Sequence, residues 1–122
     1  MNSLTVLMYH AVVRDRAALE QIDPEERSYA LTAEEFSAQL DLLRRAGIPV
    51  NDPATLRPGG RPPAGVVITF DDGHASNADL ALPLLTQRGM RAAFFITTEF
   101  VSHRRGYCDW TQVRSLAEHG MQ

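Results

Sequence analysis

Apolar residues fall along this chain in two kinds of run. Short unbroken runs rich in β-branched and aromatic residues stand at 4–10 (LTVLMYH), 66–70 (VVITF) and 91–96 (RAAFFI). Each has the length and residue types of a buried strand, and the continuous run at 66–70 is what a strand covered on both faces, as in a parallel sheet, requires. Between these runs, apolar residues recur at helical spacing. Phe36, Leu40 and Leu43 share one face of a helix predicted over 33–46. Thr32 and Glu35 form a capping box at its start, and Gly47 supplies a left-handed stop. Further helices are predicted over 76–88, ended by Gly89, and over 110–119, opened by the pair Asp109 and Gln112 and ended by Gly120. Pro83 should kink the first of these or sit near its first turn.

The intervening segments are polar. Residues 11–31 read as a long loop with a turn at Asp23-Pro24, and 97–108 as a second long loop. Residues 51–65 hold four prolines and three glycines and read as a loop with a turn of helix near Ala54–Leu56. Ile48 and Val50 suggest a short strand, and Met121 and Gln122 the entry to another. Strands alternating with helices argue for an α/β fold with parallel strands and crossover helices. The last residues stand at a strand entry, so residues 1–122 are expected to be a single partial domain of a larger α/β barrel or sheet.

Composition narrows the function classes. The 122 residues are 44% apolar and 22% charged, which excludes a disordered or low-complexity chain. No stretch reaches the roughly 18 apolar residues of a membrane span, so no membrane partner is expected. The first ten residues lack the basic and apolar regions of a signal peptide, so the chain reads as cytoplasmic as written, and as exported if a leader precedes it. Net charge is -3, which gives no basic footprint for a nucleic-acid partner. The single cysteine, Cys108, excludes an internal disulfide and a Cys-rich zinc site and reads as a packing residue. All 12 basic residues are Arg, which excludes chemistry that needs a Lys.

The informative segment is Thr69-Phe70-Asp71-Asp72-Gly73. Two adjacent carboxylates at the C-terminal end of a buried strand are costly unless something positive holds them, and that end is where α/β folds place their active sites. A divalent metal would reconcile the two facts, with one Asp as ligand and the other free as a base. Gly73 lets the chain turn away. The plain alternative is a solvated Asp-Asp-Gly turn. A haloacid-dehalogenase-type phosphatase would need Asp where Gly73 stands, and a receiver domain would need an acidic pair near the first strand and a later Lys.

VVITFDDG resembles the first motif of the polysaccharide deacetylases, carbohydrate esterase family 4. The likeness extends to VLMYH at 6–10, LTAEEFSAQLDLLRRAGIPV at 31–50, LPLLTQRGMRAAFFI at 82–96 and WTQVRSLAEHGMQ at 110–122. The resemblance implies the N-terminal part of a distorted (β/α) barrel and metal-dependent removal of N-acetyl groups from a polysaccharide or oligosaccharide. It makes Asp71 the catalytic base and Asp72 a metal ligand, with zinc the expected divalent metal and an N-acetylated glycan the partner. The family's second motif, which supplies two histidine ligands, would begin just after Gln122, so the chain is expected to carry about half of a site. A non-catalytic glycan-binding relative and an inactive remnant are the competing readings. Nothing in the sequence sets an oligomeric state.

Of the four histidines, His10 ends the first strand and either lines the site or hydrogen-bonds at the barrel mouth. His74 follows the motif and either lines the site or sits solvated in its loop. His103 reads as a solvated loop residue, and His119 as a helix-ending residue suited to the C-terminal dipole. Phe94 and Phe95 are expected in the core, Trp110 under its own loop rather than stacked on a sugar, and Arg104-Arg105 as a solvated pair rather than a contact for an anionic glycan.

Overall fold

The run Val66–Phe70 becomes the middle strand of the molecule. A computed structural model describes residues 3–122. Strand β1 (Leu4–Tyr9) pairs in parallel with β4 (Gly65–Asp72), and β4 pairs in parallel with β5 (Ala92–Ile96), giving the sheet order β1-β4-β5. Backbone bonds from Phe94 N to Gln122 O (2.7 Å) and from Gln122 N to Ala92 O (3.1 Å) continue the pairing beyond β5, as expected of a strand entry. The short strand foreseen at Ile48 and Val50 reduces to one bridge between Val50 and Val66.

One face of this sheet is packed. Phe70 is fully buried and lies at the centre of an aromatic cluster, stacked on Phe94 at 4.8 Å and meeting Phe36 edge-on at 5.7 Å. Tyr9 closes the cluster, 5.4 Å from Phe70. Helix α3 (Ala33–Arg45) brings Phe36 and Leu40 to this face, α4 (Leu82–Thr86) brings Leu82 and Leu85, and α5 (Trp110–Glu118) brings Leu116. Pro83 stands in the first turn of α4, where its missing N–H costs nothing. The preceding turn, Asn77–Ala81, is wound as a π-helix rather than as the start of one long α-helix. The turn expected near Ala54–Leu56 is a 3-10 turn at Pro53–Thr55.

The opposite face corrects two expectations. Met8 is 66% exposed, and Val6 and Phe95 are also open to solvent, so β1 is not buried on both faces and Phe95 is not in the core. The pleat explains this: Val6, Met8 and Phe95 project to the side away from the helices. In this sheet, among the described residues, only the middle strand, flanked by both neighbours, buries both of its faces, over Val66–Phe70.

The segment 11–31 is also more ordered than a loop. After His10, β2 (Ala11–Val13) pairs in parallel with β3 (Ala30–Thr32), and between them lie two short helices, α1 (Arg16–Gln21) and α2 (Pro24–Arg27). Asp15 and Asp23 cap them through their side chains, and Pro24 takes the first-turn position. At Gly65, with φ of 112°, an added Cβ would lie 2.3 Å from Pro49 O, so this strand entry admits only glycine.

The capping box at α3 forms as the sequence predicts, with Glu35 N donating to Thr32 Oγ1 at 3.2 Å and Thr32 N donating to Glu35 Oε2 at 2.9 Å. The donated backbone N–H holds the Glu35 carboxyl below its usual range. Thr32→Ala is expected to lower stability by about 1 kcal/mol. A urea melt should show the midpoint falling at unchanged slope, and an unmoved midpoint would show that the cap contributes nothing here.

Candidate active site

Asp71 and Asp72 end β4 at its C-terminal mouth. Asp72 has φ of 75° and Gly73 of 80°, so two successive left-handed residues turn the chain off the sheet. Aspartate is among the few non-glycine residues that adopt this conformation readily. A Cβ on Gly73 would press the Ile96 side chain at 3.3 Å, which reinforces the need for glycine there.

His10 lies beside the acidic pair. Its Nδ1 is 3.3 Å from Asp71 O and 3.4 Å from Asp72 Oδ2. Both neighbours are acceptors, so a proton on Nδ1 would be the one shared with them. The other nitrogen, Nε2, is buried without a hydrogen-bond partner and faces Glu26 Oε1 at 3.8 Å. The turn from β1 into β2 that sets His10 in place is pinned from behind. Fully buried Asn77 donates through Nδ2 to His10 O at 2.8 Å, and Ser76 Oγ accepts from Val12 N at 3.0 Å.

Asp72 Oδ1 meets Thr97 Oγ1 at 3.5 Å, and its side chain is half exposed. The Asp71 carboxylate makes no hydrogen bond or ion pair among the described residues. Both carboxylates line a cleft of about 580 Å³, walled on its far side by residues 23–31.

His74 stands behind His10 rather than in the cleft. Its ring is 5.9 Å from that of His10, and its Nδ1 is tied to Ser76 Oγ at 2.7 Å. Burial, aided by the neighbouring His10, lowers its pKa and favours the neutral ring. His103 is exposed, and His119 caps α5, with its Nδ1 2.7 Å from Ser115 O.

Arg104 is exposed, as its sequence suggests, but it is not without partners. It lies over the rings of Phe100 at 4.6 Å and Tyr107 at 4.7 Å, and reaches Glu26 Oε1 at 3.2 Å. Tyr107 OH donates to the same Glu26 oxygen. Burial first, and the bond to Glu26 second, push the Tyr107 phenol well above its ordinary range and keep it a donor. Glu26 and Tyr107 are 81 positions apart, so no local pattern could have announced the pair. Trp110 is 53% exposed and does not pack under its loop, because its place at the first turn of α5 points it outward.

Cys108 is wholly buried, with Sγ 3.5 Å from His74 O. Burial and the nearby Asp79 and Asp109 push its thiol up to about 11. At pH 8 that leaves about one thiolate in a thousand. Iodoacetamide should therefore fail to label the folded chain within an hour and should label it rapidly in denaturant; equal rates would contradict the buried placement.

The described residues bring no three His, Cys, Asp or Glu side chains together as a metal cage. Asp72 offers a single carboxylate ligand at the cleft, which fits one arm of a metal site and not a whole one. No helix among them is long and apolar enough to cross a membrane.

In a parallel sheet backed by helices, the C-terminal mouth of the strands, where the acidic pair stands, is where (β/α) barrels place their active sites. The polysaccharide deacetylase profile matches residues 59–122, just over half of the chain, and the chain belongs to that family. The Bacillus subtilis (strain 168) protein YxkH, named for the same family, is 27% identical over 123 residues, which is 97% of this chain and 40% of YxkH. The fold matches IcaB from Ammonifex degensii with a TM-score of 0.78 at 28% identity, over 100% of this chain and 52% of that one. It also matches a de-N-acetylase from Aggregatibacter actinomycetemcomitans with a TM-score of 0.78 at 24% identity, over 98% of this chain and 52% of that one. The acetate complex of Streptococcus pyogenes PplD matches with a TM-score of 0.70 at 20% identity, over 98% of this chain and 54% of that one. The chain thus spans about half the length of these solved relatives and two fifths of YxkH. Its fold matches half of a deacetylase-type barrel.

Proposed function

We propose that this chain supplies the base and one metal ligand for hydrolysis of N-acetyl groups on a polysaccharide or oligosaccharide. One observation carries the reading: two adjacent carboxylates stand at the mouth of β4, one without a partner and one held beside His10. Membership in the deacetylase family and the acetate bound by PplD support it.

Asp71 is the base. Its free carboxylate takes the proton from the water that attacks the acetamide carbonyl, leaving acetate and a free amine on the sugar. Asp72 is held by His10 and Thr97 as a ligand for a divalent metal. A bound metal of this kind supplies Lewis-acid polarisation and an acidified water. Zinc is the ion best matched to a site of one carboxylate and histidines. The remaining ligands must come from outside the described residues, since these supply too few. The substrate is an N-acetylated glycan, received in the cleft beside the acidic pair.

The test is a product assay. The longest protein that the gene encodes should release acetate and expose amines on an acetylated chitooligosaccharide, and a chelator should stop it. Binding of the oligosaccharide without either product would favour a glycan-binding relative over an enzyme.

A further inference from the structure

Helix α2, in one wall of the cleft, is joined to the facing loop through a single carboxylate. Helix α1 before it, by contrast, packs on β2 and β3 and is tied to α3 by Arg16 and Glu35 at 3.2 Å. The cleft is lined on one side by His10, Asp71 and Asp72 at the sheet mouth, and on the other by Asp23, Glu26 and Tyr29. Helix α2 within that second wall buries no residue, so apolar packing does not hold it. Its other side-chain bonds are local: Asp23 caps its own helix, and Arg27 returns to Glu20 O and Ile22 O. The bonds joining α2 to the 97–108 loop, from Tyr107 OH and Arg104 Nη2, both end on Glu26 Oε1.

The anchor side is firm. Tyr107 is buried and packs edge-on against Phe100 at 4.8 Å and against His74 at 5.6 Å. Arg104 is sandwiched on the Phe100 and Tyr107 rings. Cys108 N donates to Gly73 O at 2.9 Å, and Ala75 N donates to Gly106 O at 2.9 Å, so the loop is fixed to the turn that follows the acidic pair. Glu26 Oε1 also lies 3.8 Å from His10 Nε2, on the far side of the ring whose Nδ1 faces Asp72.

We propose that Glu26 is a positioning residue: latched by Tyr107 and Arg104, it holds residues 23–29 as the second wall of the glycan cleft. Its role in the cleft rests on the deacetylase reading above, whereas the latch itself does not. The bond that holds the wall is charge-assisted, and its loss should free the segment by about tenfold in local opening. Glycan binding should weaken accordingly, while the chemistry at Asp71, on the other wall, proceeds at its normal rate once substrate is seated.

Tyr107→Phe tests the latch without altering the 23–29 sequence, because it removes the hydroxyl and keeps the packed ring. Trypsin should cut this variant at Arg27 about tenfold faster than the parent chain, with cutting at Arg44 and Arg45 in α3 unchanged. Adding Glu26→Gln should produce no further gain at Arg27, since both substitutions break one latch. Unchanged cutting at Arg27, or an equal rise at Arg44 and Arg45, would overturn the latch. In the longest encoded protein, Tyr107→Phe should raise KM for an acetylated chitooligosaccharide at least fivefold and leave kcat within a factor of about two. An unchanged KM, or a fall in kcat alone, would overturn the wall assignment. If the parent protein releases no acetate at all, the deacetylase reading fails, and the trypsin result alone decides the latch.

Discussion

Replacing Phe70 with alanine is expected to destabilise the fold by about 3–5 kcal/mol, the usual cost of emptying a buried aromatic site. Phe70 is fully buried and touches aromatic partners from three elements: Tyr9 of β1, Phe36 of α3 and Phe94 of β5. The cavity would open between sheet and helices, where the backbone of the middle strand cannot shift to fill it. Against a total stability of about 5–15 kcal/mol for a natural domain, such a loss takes a large share. Urea unfolding followed by circular dichroism reads it directly. A midpoint within error of the parent chain would mean that the aromatic cluster is not the centre of the core.

Asparagine at position 71 and asparagine at position 72 should fail in different ways. In the longest encoded protein, Asp71→Asn should slow acetate release by about 10²–10⁴-fold, the usual worth of general acid–base help, while leaving zinc binding largely intact. Asp72→Asn should weaken zinc binding, because it removes a charged ligand and keeps the shape. The backbone at Asp72, with φ of 75°, suits asparagine as well as aspartate, so the second variant tests charge rather than folding. Zinc titration alongside kinetics separates the two. Equal loss of metal in both variants would show that the roles are wrongly divided.

Local signals in the sequence carried much of the fold. The boxes Thr32–Glu35 and Asp109–Gln112 placed two helix starts correctly, because a cap is written in residues three apart. The unbroken runs gave the three strands of the main sheet, their parallel pairing followed from the alternation with helices, and the acidic pair stood at the end of the right one. Segment 11–31 escaped because its parts leave little pattern. Neither α1 nor α2 buries a residue, so neither has an apolar stripe, and β2 is three residues long. Only Asp15 and Asp23-Pro24 hinted at the two helix starts. Phe95 misled because a strand's outward residues look the same whether or not another layer covers them. The surroundings of the acidic pair were legible where residues are near in sequence and hidden where they are distant. His10 could be placed beside Asp72 by assuming sequential strand neighbours, but Glu26, Tyr107 and Asn77 reach the same spot through contacts of 67 to 81 positions.

The open side of the sheet gives the 122-residue chain an apolar face at Val6, Met8 and Phe95, which should favour association of the isolated chain. The central claim is that these residues contribute a base and one metal ligand to a deacetylase site without completing it. The most direct test incubates the purified 122-residue chain with zinc and an acetylated chitooligosaccharide and measures released acetate, beside the longest encoded protein and its Asp71→Asn variant. The account predicts no release from the 122-residue chain, release from the longest protein, and its near-abolition by Asp71→Asn. Turnover at an ordinary enzymatic rate from the 122-residue chain, lost on Asp71→Asn, would contradict it by showing that the full ligand set lies within these residues or between copies of them.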